Sequence, residues 1–456
     1  MTGSGSVEAN RAGRPRSDDG RGLRRATILF GLGVLVHLLA LSSLVTGILD
    51  PLFVDTTHRL GKGADFYAVY QAGQNVKDGV SVYEWNRDTS IVPYWYPYRY
   101  APPLAQTFGV LATNLSPQTA YRLWVVALEG LLLLNLWLTR RMFRERSRAL
   151  VAMSLWLLFS PYYLEIYLGQ FSFVMATLLF WMLHWWYPET PNPSGRVRLG
   201  DAAWTASLLV KANSALIAPA LLKAGRWRLV LVAGMVVGAM SLPYFLAAPG
   251  SFEVYGRNVT EGLTANALPG NLGLAALLAT AILRLGGSWP TGQVDLVDLA
   301  PSLTETIRLP LTILSIAVGL ATVILTIRTS RRHVIELILM WTLVHFLVYK
   351  HVWEHHYVMA IPVFVLLYRG LNSATEQVRI SPGLFWATFW VMALPTPFVF
   401  IDVASAPIDP LSEWTTATAL AFHAGKPLAA LALYLGLFTA LWVEGANRTR
   451  RPGSSG

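Results

Sequence analysis

The chain has no cysteine in its 456 residues. That absence removes disulfide frameworks, thiol nucleophiles and cysteine-held metals from the chemistry open to it. Charge is scarce as well: Asp, Glu, Lys and Arg together make up 14% of the residues, where an ordinary soluble chain has about a quarter. No glycine-rich phosphate loop, no heptad register, no short solenoid repeat and no HExxH metal spacing is present.

Apolar residues take the place of charge, at 54% of the chain. Residues 26–49 run without an acid, a lysine or an arginine, long enough to cross a hydrocarbon core of ~30 Å. No small-residue cleavage pattern follows, so a retained anchor is expected in place of a removed signal peptide. Further apolar segments lie at 118–139, 149–167, 170–187, 200–222, 227–247, 271–285, 306–327, 334–349, 356–369, 383–401 and 415–443. The expected fold class is all-α, a polytopic integral membrane protein of about twelve segments.

The net charge of +10 is gathered in "RAGRPRSDDGRGLRR", "RRMFRERSR", "RTSRRH" and "NRTRR". Short basic clusters beside apolar runs mark the cytoplasmic side and do not suggest a nucleic-acid surface. They place both termini inside and the 51–117 loop outside. The domain reading is a basic disordered tail at 1–25, a transmembrane domain over 26–445 and a second tail at 446–456. Two segments strain it. The 200–222 run carries Lys211 and ends in "KAGRWR", and 271–285 is short; full spans or broken, re-entrant segments both remain open for them.

The outer loop is too long for a plain connection, and long loops tend to carry function. Phe66, Val69, Tyr70, Gly73 and Val76 fall at helical spacing. Gln71, Gln74, Asn75 and Lys77 lie on the other side, which predicts a helix lying in the membrane interface. After the aromatic strap "YWYPYRYAPPL", two prolines start a second helix running to about Asn114.

Asp65 precedes the first of these helices. It reads either as an N-cap or as a functional carboxylate. Lys350, His351, Glu354, His355 and His356 crowd "VYKHVWEHHY" at the same predicted membrane face. Lys211 is an intramembrane cation and so a functional candidate by default. Arg99 and Tyr100 in "YPYRYAPP", Gln170 in "YLGQFSF" and Asn271 in "LPGNLGL" complete the set. One acid with several cations suits displacement of a phosphate leaving group. The carboxylate takes a proton from an attacking hydroxyl, and the cations neutralise charge growing on the phosphate.

These elements, in this order, resemble the GT-C glycosyltransferases and most closely glycosyltransferase family 87. The resemblance is carried by an Asp soon after the first span, "VKDGVSVY", "RYAPPLA", "LGQFSF", "LVKANSALIAPALL", "GNLGL" and "WEHHYVMAIP". It implies the GT-C fold and an inverting, metal-independent transfer of a hexose, mannose foremost, needing no cofactor. The donor is a polyprenyl phosphate, and the acceptor a lipid or glycolipid hydroxyl at the extracytoplasmic face of the cell membrane. By the same resemblance Asp65 is the general base, and His355 and His356 lie near the donor phosphate or acceptor. Arg99, Lys211 and Lys350 are candidate phosphate ligands by charge and side; Gln170, Tyr100, Asn271 and Glu354 are further substrate-binding candidates. A transporter or flippase is the alternative, but the large loop after the first span has no counterpart in the second half, as paired transporter halves would require.

Overall fold

A computed structural model describes residues 20–58, 60–84, 87–94, 96–186, 193–260, 271–287, 301–371, 380–396 and 415–449. Within them every regular element is helical, and the one isolated β-bridge joins Asn271 to Trp353. Five helices are long and apolar enough to cross a membrane: Gly20–Thr46, Pro117–Met142, Trp227–Ala247, Glu305–Arg328 and Thr416–Gly445. A sixth span forms if Arg146–Leu157 and Pro161–Leu168 are taken together across their 50° bend. The bend falls where Pro161 opens the second helix, because proline's ring and missing N–H stop a helix from running through it.

The twelve apolar runs of the sequence are thus not twelve uniform spans. Ser172–Trp186, Leu274–Leu285 and Pro382–Ala393 are shorter apolar helices. The 200–222 run is broken: a helix ends at Val210, Lys211 adopts an extended backbone (φ −147°, ψ 125°), and a 3-10 turn over Ala212–Ile217 leads into Ala218–Lys223. Irregular backbone at this depth survives where it lines a cavity or is buried in protein. At the N-terminus the first helix starts at Gly20, inside the stretch expected to be tail, while residues 1–19 and 450–456 lie outside the described residues.

In the 51–117 loop the two expected helices pack against each other. Ten of the fourteen residues of Ala64–Lys77 are buried, including Asn75 from the expected polar face. The Asn75 side chain donates to the Ser81 carbonyl at 3.1 Å. The burial comes from a second helical stretch over 102–112, which crosses Ala64–Lys77 at Gly73 and Gly109. A Cβ on Gly73 would lie 2.1 Å from the Gly109 carbonyl carbon, so the two backbones touch. Phe66, Phe108, Trp124 and Phe171 then close an aromatic cluster beneath the loop, with Trp124 and Phe171 centroids 4.6 Å apart.

The C-terminal helix contributes a buried ion pair. Lys426 Nζ lies 3.2 Å from Glu354 Oε1 and also donates to the carbonyls of Met392 and Leu394, both at 2.6 Å. Removing one partner of such a pair strands the other charge, at a cost of about 3–5 kcal/mol. Lys426→Met is therefore expected to lower the melting temperature sharply, and Lys426→Met with Glu354→Gln to recover much of the loss, as read by thermal melting in detergent.

Candidate active site

Two glycines bring distant turns together. Gly63 (φ +79°) and Gly169 (φ +66°) both take left-handed backbone, where a side chain would be strained. Gly63 N donates to the Tyr167 carbonyl at 2.8 Å, and a Cβ on Gly169 would meet the Phe66 Cβ at 2.6 Å. Tyr121 and Trp124 pin the turn from the neighbouring helix, donating to the carbonyls of Tyr167 (2.9 Å) and Gly169 (3.1 Å). "GKGAD" and "LGQFSF" are thereby held face to face, with Asp65 beside Gln170.

Asp65 is not the N-cap. Gly63 occupies that position with no side-chain cap, and Asp65 is the second residue of the helix. A carboxylate in the first turn is still favoured by the helix dipole, but its side chain is free to face a cavity of about 160 Å³. Lys211, Tyr100, Gln170, His355 and His356 line the same cavity, with Arg99 at its solvent-exposed mouth over the Tyr96 ring, 5.3 Å from the centroid. The helix break aims Lys211 inward. Its ammonium donates to Ser172 Oγ at 2.6 Å, lies 3.5 Å from His356 Nε2 and sits 5.8 Å above the Tyr100 ring. Tyr100 in turn donates to Gln170 Oε1 at 3.0 Å.

Three sequence candidates lie elsewhere. Glu354 is turned away into its ion pair with Lys426 and also accepts from the Thr396 amide at 2.9 Å. Asn271 is a backbone clamp: its amide donates to the Lys350 carbonyl (2.8 Å) and accepts from Val352 N (3.0 Å). Lys350 meets that clamp through its main chain and is not among the cavity-lining residues. Along this irregular stretch Tyr349, His351 and Trp353 line the cavity while Lys350 and Val352 do not. Tyr349, Trp353 and Tyr255 also line the cavity without having been singled out. Glu165 was missed too. It is fully buried and stands next to this site, with the Lys211 charge acting on it. A lone acid inside the apolar run 149–167 was the available signal.

Burial pushes the Asp65 carboxyl up to about 6, against the opposing pull of Lys211, Arg99 and Gln170. Burial likewise pushes His351 down to about 3, helped by the Arg99 and Lys350 charges, so that ring is neutral at physiological pH. Both ring nitrogens of His351, Nε2 of His355 and Nδ1 of His356 are buried without a hydrogen-bond partner. Buried polar atoms are normally paired, so these unmet nitrogens are what water or a polar ligand in the cavity would satisfy. Among the described residues no three His, Asp or Glu side chains are disposed to share a metal ion. The arrangement can take a proton from a hydroxyl at Asp65 and hold an anion at Arg99 and Lys211.

A family model described as glycosyltransferase family 87 matches residues 98–349. The match contains Arg99, Tyr100, Gln170 and Lys211, whereas Asp65, His355 and His356 lie beyond its ends. No curated protein and no solved structure matches the chain significantly.

Proposed function

The chain belongs to glycosyltransferase family 87, and from that premise we propose that it moves a hexose, mannose foremost, from a polyprenyl phosphate to a hydroxyl of a lipid or glycolipid. The observation that carries this reading is one carboxylate and two cations on a single cavity, Asp65 facing Lys211 and Arg99. Asp65 takes the proton of the acceptor hydroxyl as its oxygen attacks the anomeric carbon. The bond from that carbon to the phosphate oxygen breaks, and the electron pair leaves with the phosphate. Lys211 and Arg99 meet the charge that develops there. One displacement from the opposite face inverts the anomeric configuration, and no metal takes part. His355 and His356, each with a buried ring nitrogen that no protein group meets, bind sugar or phosphate oxygens.

The basic clusters put both termini on the cytoplasmic side of the cell membrane and the cavity on the extracytoplasmic side. The experiment is incubation of purified protein with radiolabelled polyprenyl-phosphate-mannose and candidate acceptor lipids, with and without a chelator. Expected is a labelled glycolipid, released polyprenyl phosphate and a rate insensitive to chelation. No transfer from any polyprenyl-phosphate hexose would sink the proposal.

A further inference from the structure

A second cavity, of about 360 Å³, shares no lining residue with the first. It is lined by the opening turns of Gly20–Thr46 and Pro382–Ala393, by Val151, and by Tyr368 and Leu371 at the end of Ala360–Leu371. Its lining is graded from charge to hydrocarbon. Gly22, Arg25 and Pro382 are exposed, whereas Ala26 and Tyr368 are buried. Residues four apart on a helix share a face. One turn along from Arg25 comes Leu29, and one turn along from Pro382 comes Trp386; both are half-buried and line the cavity.

No acid is among the described lining residues. A second cation stands beside the wall: the Arg148 guanidinium lies 5.9 Å from the Tyr368 ring centroid and donates to the Arg369 carbonyl at 2.9 Å, and its Nε is buried without a partner. We propose that this cavity binds an anionic phospholipid, with the phosphate on Arg25 and an acyl chain along Leu29, Val151 and Trp386. Arg25 belongs to the basic cluster read as cytoplasmic, and basic pockets between membrane helices on that side take anionic head groups. A free anion makes no use of the apolar wall, and a zwitterionic lipid brings its own cation to its phosphate. The adjoining stretches of chain have little to fill an apolar cavity: residues 1–19 hold two large apolar side chains, Met1 and Val7, and residues 372–379 hold one, Val378.

The test is thermal melting and native mass spectrometry of the delipidated full chain in neutral detergent, titrated with phosphatidylglycerol, phosphatidylcholine or glycerol phosphate. Phosphatidylglycerol should raise the melting temperature as its concentration rises and remain bound at one per chain, and the other two should do neither. Arg25→Gln should weaken its binding about fivefold, the share of one cation near an anionic head group. Arg24→Gln removes the same charge from a neighbour that does not line the cavity, and should leave binding unchanged. Val151→Trp fills the apolar wall without touching a charge and should abolish retention of the lipid; Leu29→Trp carries that arm if Val151→Trp does not fold. Equal losses from Arg24→Gln and Arg25→Gln would reduce the effect to surface charge and overturn the proposal. Equal binding of phosphatidylcholine, equal stabilisation by glycerol phosphate, or retention of the lipid in the filled variant would overturn it as well.

Discussion

Asp65→Asn is expected to slow transfer by roughly 10²–10⁴-fold, the usual share of a positioned general base, while polyprenyl phosphate still binds. The substitution keeps the side chain's size and removes only its ability to accept the proton. Activity within a few-fold of wild type would dismiss Asp65 as the base. The pH profile gives the same test without mutation. With the carboxyl pushed up to about 6, the ionised base is lost as pH falls through about 6, so the wild-type rate should drop about tenfold per unit below that point. The stability sign is opposite. A carboxyl raised from its ordinary 3.8 to about 6 binds more protons folded than unfolded between those values. Stability therefore declines as pH rises through this window, and the deficit is fully present above about 6. Asp65→Asn should accordingly melt higher than wild type at pH 8, a gain in stability bought with activity.

Gly73→Val is expected to remove the fold of the 51–117 loop and activity with it. Its Cβ would stand 2.1 Å from one backbone atom and 2.4 Å from the next, both of Gly109. No flexible side chain can yield there, so the Ala64–Lys77 helix must lift off the 102–112 stretch and carry Asp65 away from Lys211. Overpacking of this kind costs about 3 kcal/mol or more. Gly130→Ala, where nothing lies within 4 Å of the added carbon, serves as the control that should fold and work normally. Melting in detergent followed by size-exclusion chromatography reads both variants. A Gly73→Val protein as stable as the control would mean that the two helices do not meet as described.

Much of the site was legible because its chemistry is costly in an apolar chain. Lys211 stood out as a cation within a hydrophobic run, and the break in the helix at that residue is how the chain relieves the cost. Arg99, Tyr100, Gln170, His355 and His356 were recognisable from short motifs in a consistent order. Glu354 and Lys350 were equally dense in charge and equally well placed along the chain, yet neither lines the cavity. Local sequence does not encode that Glu354 meets Lys426 from the last helix, nor that Asn271 holds the main chain at Lys350 and so turns His351 inward.

The sequence by itself determined the solvent this protein lives in, its helical class and its family, because hydrophobic runs and short motifs declare themselves locally. Only the tertiary structure decided that Asp65 sits within its helix and is not its cap, that the loop helices are buried against one another through Gly73 and Gly109, and that Glu165 accepts the Phe173 amide. These depend on close approach between residues far apart in the chain. Burial, and with it the upward push on the Asp65 carboxyl, exists only once those approaches are made.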